Sequence, residues 1–248
     1  MSSGNFLTIG SVFYSLLLLI VFFSKKRLAI IENKIYSYLI VCNFIGLILA
    51  IACYYTVLYN GIIPVINFTV SRLYLIYLVS YIFIFFGYLI VSLYSIDNKI
   101  NPKIKSFFSL LIFIFVIISI KIYTSPLYYH NEDMIIYSYG PAANIVYILA
   151  TICMVIWTII LIINFDKVKK KKFIPIISFI FGSLIITIIQ KSNPGLLLMT
   201  SMETFITVTM YFTIENPDVS IIEEIHNAKV ISDNANYEKT MFLYDMTN

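Results

Sequence analysis

Charged residues are scarce in this sequence of 248 residues, and their scarcity excludes an ordinary soluble domain. Asp, Glu, Lys and Arg make up 12% of the chain and 60% is hydrophobic, with a mean hydropathy of +0.91. Soluble globular chains are about a quarter charged and about half apolar. A membrane protein is the class that fits. The net charge of +4 does not indicate nucleic-acid binding, because the lysines cluster at the ends of apolar runs.

Cysteine and histidine are also rare, which argues against a metal site or a catalytic centre. The three cysteines, Cys42, Cys53 and Cys153, all lie in apolar runs, so we interpret them as core residues rather than as a disulfide or metal framework. The two histidines, His130 and His226, lie outside these runs, and no glycine-rich phosphate loop occurs. The sequence therefore predicts no metal, no cofactor and no catalytic residue.

Seven apolar runs are long enough to cross a bilayer, which takes about twenty residues. They cover residues 6–23, 35–59, 69–96, 107–122, 143–165, 173–190 and 195–214. The first run has no basic flank and no small-residue cleavage site before it, so we expect an uncleaved helix rather than a signal peptide. We therefore expect an all-α membrane protein with seven transmembrane helices.

The connections between these runs alternate in charge. Those after the first, third and fifth runs carry most of the basic residues, which are Lys25, Lys26, Arg27, Lys34, Lys99, Lys103, Lys105, Lys167, Lys169, Lys170, Lys171 and Lys172. The positive-inside rule makes these connections cytoplasmic. The N-terminus is then outside, and the polar C-terminal segment is in the cytoplasm.

One outer connection, residues 123–141, offers an exposed surface. It is rich in tyrosine and also contains acidic residues and a histidine. One interpretation is a ligand-contact loop formed by Tyr128, Tyr129, His130, Glu132 and Asp133. The other is an interfacial aromatic belt around a polar tip. The connection is too short for a folded sensor domain, which usually needs about 50 residues or more, so we expect any signal to be received within the membrane or at its outer rim.

Three charged residues fall inside the predicted spans: Glu203 in the seventh, Arg72 in the third, and Lys121 at the end of the fourth, where it can extend outward. A charge at membrane depth costs ~2.5 kcal/mol or more, so it needs a partner or a purpose. Glu203 lies ~12 Å and Arg72 ~5 Å below the outer ends of their spans at 1.5 Å per residue, and a long arginine can reach across that gap. We expect a buried Glu203–Arg72 pair. In the alternative, Arg72 extends to lipid headgroups and Glu203 is protonated or bonded to neighbouring Thr and Ser residues.

Smaller residues are expected to govern helix packing. Asn43 and Asn144 can bond across helices for roughly 0.6 kcal/mol, although simple packing is the favoured interpretation for both. Gly46, Gly87 and Gly182 are interpreted as points where helices come close together.

The polar segment 216–248 predicts a helix that begins at Pro217. Asn216 suits the N-cap, Pro217 the first helical position and Asp218 the positive end of the helix dipole. A stripe with a strict seven-residue repeat follows: Ile221, Ile225, Ala228, Ser232, Ala235, Lys239, Phe242 and Met246. Two copies side by side would bury this seam, so we expect a dimeric coiled coil, weakened by Ser232 and Lys239 and therefore able to switch. The alternative is a single amphipathic helix on the lysine-rich inner surface.

Two stretches carry a family resemblance. Residues 210–218, Met-Tyr-Phe-Thr-Ile-Glu-Asn-Pro-Asp, and residues 242–248, Phe-Leu-Tyr-Asp-Met-Thr-Asn, resemble multi-pass sensor histidine kinases of bacterial two-component systems. Residues 71–78 are also similar to the membrane regions of that family. In these kinases the last membrane helix runs into a coiled coil and then a dimerisation helix that starts with a Phe-Leu-x-x-Met-Ser-His motif. Phe242, Leu243, Met246 and Thr247 match it, with Thr247 in place of the serine.

The resemblance implies two parts in the bacterial cytoplasmic membrane: a sensor region at residues 1–215, and a signalling coiled coil at residues 216–248 that leads into a truncated dimerisation helix. The phosphoacceptor histidine of the family falls on Asn248, so this chain is not expected to be an enzyme. We expect either the membrane portion of a longer, active or degenerate kinase, or an orphan receptor. The expected partners are the lipid bilayer and a second copy or a related kinase. A kinase module or response regulator would act only through a longer parent.

The function we expect is a membrane receptor region in which a shift of the last span around Glu203 repacks the seam. A small transporter or channel subunit is the alternative. That class favours internal repeats or helices broken at mid-membrane, and neither is visible. An intramembrane protease, the third option, would need a histidine or paired acids at membrane depth.

Overall fold

The computed structural model describes residues 3–25, 30–94, 102–132, 135–164 and 170–247. Helices account for 88% of these residues. The elements, in chain order, are α1 (Ser3–Ser24), α2 (Ile31–Leu58), α3 (Pro64–Tyr94), α4 (Pro102–Thr124), β1 (Tyr128–Glu132), β2 (Ile135–Tyr139), α5 (Pro141–Ile163), α6 (Lys170–Ser192), a 3₁₀ turn (Pro194–Leu196), α7 (Met199–Met210), a π-helical segment (Tyr211–Glu215) and α8 (Pro217–Thr247).

Five helices in the described part of the chain are long and apolar enough to cross a membrane. Their apolar stretches are Phe6–Ser24, Ile31–Leu58, Pro64–Tyr94, Lys105–Thr124 and Pro141–Ile163. Helix α6 contributes a shorter apolar stretch, Ile176–Gln190, and α7 is 12 residues long before the π-helical segment continues it. The fold is that of a predominantly helical membrane protein, as the composition predicts.

Helix α3 lies at the centre of the helical assembly. It packs against α2, α4 and α5, and 67% of its most apolar stretch is buried, compared with 6% for α4. Helix α7 packs against α1, α2 and α6. A cluster of three rings joins α3, α5 and α6: the Phe179 ring lies 4.5 Å from that of Phe85 and 4.6 Å from that of Trp157. Such aromatic pairs stabilise a fold by more than the burial of their apolar area alone.

The glycines predicted as close contacts do lie where helices come together. A Cβ added to Gly46 of α2 would lie 1.8 Å from Cζ of Tyr77 in α3. At Gly87 of α3 it would meet the Phe108 ring at 2.7 Å, and at Gly182 of α6 it would meet the Met202 methyl at 1.6 Å. The α2–α3 approach therefore depends on the missing side chain at Gly46, because a ring carbon rather than a flexible chain end occupies that space.

The connection between α4 and α5 contains an antiparallel β-hairpin that the sequence did not predict. Its strands pair from Tyr128 with Tyr139 to Glu132 with Ile135. Asn131 Nδ2 donates a hydrogen bond of 3.0 Å to the carbonyl of Leu58 at the end of α2. Gly140, at a φ of 118°, then turns the chain into α5, a conformation that favours glycine. The connection is thus an ordered element over the helix ends.

Helix α8 begins at Pro217, as predicted, and the preceding Asn216 has an extended backbone with φ −65° and ψ 115°. Every side chain from residue 228 to residue 244 is exposed. The apolar members of this stretch are exposed as well, for example Phe242 at 62%. In a single copy, α8 is therefore an exposed helix that follows the largely buried α7.

Candidate functional site

Glu203 lies on α7 in the interior of the helical assembly. Its side chain is only 3% exposed. Tyr77 of α3 donates a hydrogen bond from its hydroxyl to Oε2 of this carboxyl group at 2.5 Å. This bond from Tyr77 is the side-chain hydrogen bond that the structure shows for Glu203. A buried carboxyl group is costly in an apolar interior unless it is well hydrogen-bonded, so Glu203 marks a site where a further partner would stabilise the protein.

The backbone of α7 beside Glu203 is tied to two neighbouring helices. Tyr81 of α3 donates to the carbonyl of Glu203 at 2.9 Å and lies 2.9 Å from Oγ1 of Thr207. Tyr36 of α2 donates to the carbonyl of Thr207 at 2.7 Å. A carbonyl has two lone pairs and can accept these bonds in addition to the helical one. Movement of α7 along its axis would strain all of these bonds.

Asn43 joins three helices, which corrects the expectation that it only packs. Its Oδ1 accepts hydrogen bonds from Oγ of Ser15 in α1 and from Oγ1 of Thr204 in α7, both at 3.1 Å. Its Nδ2 is buried without a partner in the described structure. Asn144, by contrast, is exposed on α5. We call Ser15, Tyr36, Asn43, Tyr77, Tyr81, Glu203, Thr204 and Thr207 the α7 polar network.

A cavity of about 80 Å³ borders Glu203 and lies between α2, α3, α5, α6 and α7, with β2 of the hairpin above it. Its wall is mostly aliphatic and aromatic, including Tyr54, Tyr74 and Trp157. About 10–15 Å³ is enough for one water, so this space accommodates a small molecule or several waters. We call it the Glu203 cavity. No group of three or more His, Cys, Asp or Glu residues that could hold a metal ion occurs in the part of the chain described.

Arg72 does not pair with Glu203, contrary to the expectation from their depths. Its Nε donates to the carbonyl of Tyr123 at 2.9 Å and its Nη2 to that of Ser125 at 3.1 Å, and the guanidinium carbon lies 3.6 Å from the centre of the Phe68 ring. Arg72 is buried, so it does not extend to headgroups either. It neutralises the C-terminal end of α4, where helix carbonyls lack partners and a cation is favoured.

The geometry of α3 explains this outcome. Arg72 and Tyr77 are five residues apart, so they point about 140° away from each other around the helix at 3.6 residues per turn. Tyr77 faces Glu203 on α7, while Arg72 faces the end of α4. Of the alternative for Glu203, protonation or bonds to neighbouring Thr and Ser residues, the second part is wrong, because the hydrogen bond to its carboxyl group comes from a tyrosine.

The structure places the predicted outer loop residues in the hairpin. Tyr128 is exposed, and the Tyr129 hydroxyl is buried without a partner among the described residues. His130 stacks beside Tyr137 at 4.9 Å between ring centres. Glu132 ends β1, and Asp133 lies outside the described residues. These residues do not converge on the Glu203 cavity, which β2 borders through Ile136, Tyr137 and Ser138.

The predicted seam residues all lie on α8, whose bounds are Pro217–Thr247. Those with described side chains are exposed: Ile225, Ala228, Ser232, Ala235, Lys239, Phe242 and Met246. Ile221 is also on this helix, and Asn248 falls outside the described residues. The seam is distant in sequence from Glu203, but the same continuous stretch of α7, π-helical segment and α8 connects them.

Several residues of the site were missed from the sequence. Tyr36, Tyr77 and Tyr81 are three of 20 tyrosines and had no distinguishing neighbours. The available signal was spacing, because Tyr77 and Tyr81 are one turn apart on α3, and Thr200, Thr204 and Thr207 recur along one face of α7. Gln190 and Trp157, which also border the cavity, have buried polar atoms without partners in the described structure.

The fold and this buried polar site define a helical membrane protein with an internal cavity. No protein-family model and no curated protein matches the chain. Its function is therefore inferred from the residues and their geometry.

Proposed function

We propose that this chain is the sensor and signal-transmission region of a membrane receptor, in which α7 relays a signal from the Glu203 cavity to α8. The observation that carries this proposal is the position of Glu203. Its side chain borders the cavity, and its helix continues through Tyr211–Glu215 and Asn216 into α8. An occupant that changes the partners of Glu203 would act directly on the helix that leads out of the membrane.

The π-helical segment supports a role for this joint in switching. Such segments are rare and often occur at functional sites. Tyr36 donates to the carbonyl of Thr207, one turn before the segment begins. A change in this bond would alter the local helical repeat and so turn α8 about its axis. The α7 polar network is thus adjacent to the point where a rotation can start.

Seven spans, with the N-terminus outside and α8 in the cytoplasm, belong to the same proposal. The turn between α6 and α7 lies beside the hairpin, because a Cβ on Gly195 would be 2.8 Å from Cγ2 of Ile135. Helices α6 and α7 therefore reach the same end of the molecule as the α4–α5 connection, which supports two further crossings. The basic connections on the opposite side support a cytoplasmic α8.

We further propose that α8 is one strand of a parallel coiled coil. Apolar seam residues such as Ile225, 63% exposed in one copy, are favourable in water only when covered, and a second copy would cover them. This arrangement is the one that the resemblance to sensor histidine kinases implies. The partner is then a second copy or a related kinase, and output passes to a kinase module of a longer parent, since Asn248 has no imidazole to accept phosphate.

Cysteine cross-linking on α8 tests the receptor proposal. We expect Ile225→Cys to give disulfide-linked dimers in membranes, whereas Val230→Cys, on the opposite side of the same helix, gives few. The parent chain, whose three cysteines lie in α2 and α5, sets the background. Equal cross-linking at both positions, or none at either, would remove the coiled coil from the proposal.

A transporter or channel subunit is the second candidate, and the internal cavity between α5, α6 and α7 is the observation that favours it. The receptor function requires α8 for its output, whereas transport of a solute does not require α8. Solute flux through liposomes containing a chain truncated after Asn216 would support transport, whereas the receptor function predicts no flux with or without α8.

A further inference from the structure

We propose that the Glu203 cavity binds a small primary amine, whose ammonium group bonds to Glu203 and whose short alkyl chain packs against the aromatic wall. This inference deepens the receptor function and rests on it only for the consequence in α8. Binding itself depends on the cavity alone.

The charges around the cavity favour a cation. Among the lining residues that the structure describes, Glu203 carries the one carboxyl group, and none is Lys, Arg or His. Arg72, the nearest candidate in the sequence, is engaged with the end of α4. A buried carboxylate with no counter-charge is unfavourable, and an anionic ligand would make it worse. An ammonium group would supply the missing charge.

The unmet hydrogen bonds favour a donor with several hydrogens. The Glu203 carboxyl accepts a hydrogen bond from Tyr77 at Oε2, and Gln190 Oε1 is buried without a donor in the described structure. Both residues border the cavity, and they are 3% and 8% exposed. An ammonium group has three donors and no acceptor, which suits a carboxyl group and an amide oxygen that lacks a donor. The unpaired Nε1 of Trp157 is a donor and would take a water molecule in the remaining space.

The wall and the size of the cavity limit the rest of the ligand. Tyr54, Tyr74 and Trp157 border the space, and aromatic faces attract cations and pack well against short alkyl chains. The volume of about 80 Å³ is roughly half that of an apolar cavity of about 150 Å³ that binds benzene. The ligand is therefore a molecule of a few heavy atoms, such as n-butylamine, and not a lipid or a peptide.

Fluorescence of the single tryptophan tests this proposal directly. Trp157 is the one Trp of the sequence and borders the cavity. We would titrate the full chain in nanodiscs with n-butylamine, butan-1-ol and butyrate, which share a chain but differ in charge. We expect a saturable change with butylamine, at least tenfold weaker binding of butanol and none of butyrate.

Two cavity variants test separately the contribution of the Glu203 carboxyl group and that of the cavity volume. Glu203→Gln should weaken butylamine binding at least tenfold, while Glu238→Gln, the same change on exposed α8, should leave it unaltered. Ala143→Leu, which fills the cavity away from Glu203, should weaken all binding and decides the matter if Glu203→Gln does not fold. Equal binding of butanol and butylamine, unaltered binding in both cavity variants, or no saturable change would overturn the proposal.

Cross-linking at Ile225→Cys in the same nanodiscs separates this inference from the receptor function. Saturable binding accompanied by an altered cross-linking yield supports both. Saturable binding with an unaltered yield supports the amine site and counts against the relay through α7. A failure of the fluorescence titration, with seam-specific cross-linking intact, overturns the amine site alone.

Discussion

At the residue scale, Glu203 depends on Tyr77 for its side-chain hydrogen bond. We expect Tyr77→Phe to lower the free energy of unfolding by about 1.5–3 kcal/mol, because the bond is buried and its acceptor is a carboxyl group. Tyr54→Phe is the matched control, since the Tyr54 hydroxyl has no hydrogen bond in the described structure, and its effect should stay within about 0.5 kcal/mol. Denaturation of the purified protein in mixed micelles gives both values. Similar losses in the two variants would contradict a specific role for the Tyr77–Glu203 bond.

Arg72 bonds to the end of α4 and not to Glu203, so its substitution should destabilise that contact. Arg72→Met leaves the carbonyls of Tyr123 and Ser125 without their donor and should cost about 3 kcal/mol. Arg72→Lys should recover only part of the loss, because a single ammonium cannot reproduce the planar fork.

A double variant tests whether Arg72 and Glu203 interact. Since they share no partner, the losses of Arg72→Met and Glu203→Gln should add to within about 0.5 kcal/mol in the same denaturation assay. A coupling energy larger than about 1 kcal/mol would restore the ion pair that their depths suggested.

The difference between Arg72 and Glu203 shows what sequence can provide at this scale. Depth along a predicted span follows from counting residues, whereas the burial of Glu203 among the helices depends on how they pack. The direction in which a side chain points depends on how each helix is rotated against its neighbours. That rotation is set by packing of many side chains, such as Tyr77 against Gly46, and no single residue in the sequence encodes it.

At the element scale, the contact between α2 and α3 should be sensitive to one methyl group. We expect Gly46→Ala to destabilise the protein by about 1–3 kcal/mol, because the new Cβ would overlap the Tyr77 ring and overpacking strains the core. Gly10→Ala in α1 is the matched control, since nothing lies within 4 Å of its added Cβ, and it should be neutral or stabilising by up to about 1 kcal/mol. Thermal unfolding of both variants measures the contrast.

The Gly46→Ala substitution should also affect the hydrogen bond between Tyr77 and Glu203. If Gly46→Ala displaces the Tyr77 ring, the Tyr77–Glu203 bond weakens, and the added effect of Tyr77→Phe should shrink in this background. Full additivity of the two substitutions would show that α2 does not position Tyr77.

The elements themselves were predictable to different degrees. Five of the seven apolar runs coincide with helices long and apolar enough to cross a membrane, because membrane spans are long and their composition is strongly biased. The sixth run has a shorter apolar helical stretch, and the seventh is divided between a 3₁₀ turn, α7 and the π-helical segment. The hairpin was missed, since strands of five residues give too few alternations for a clear pattern, and the aromatic residues of this connection suggested a membrane-interface belt instead. The π-helical segment has no sequence signal of its own, because it arises where the bonds of α7 to its neighbours compete with the regular helix.

At the scale of the whole molecule, the proposed seven spans predict which surfaces share a side of the membrane. We expect Asn193→Cys, in the turn after α6, and Tyr139→Cys, in the hairpin, to react with an impermeant maleimide added outside intact cells. Ile225→Cys on α8 should react only after permeabilisation. Protection of Asn193→Cys in intact cells, with Tyr139→Cys labelled, would reduce the number of spans to five.

The hairpin has a consequence for the route by which an amine reaches Glu203. Residues of β2 border the cavity. A groove of about 560 Å³ lined by β2, α5 and α6 shares Gln190 and Tyr147 with it, so we expect an amine to enter sideways, through this groove. A compound taking this route must first dissolve in lipid as its uncharged form. The potency of an amine would then rise as the medium becomes more alkaline and as its oil–water partition coefficient increases. Empty vesicles, which take up the amine from the membrane, would end the response faster than a wash with plain buffer.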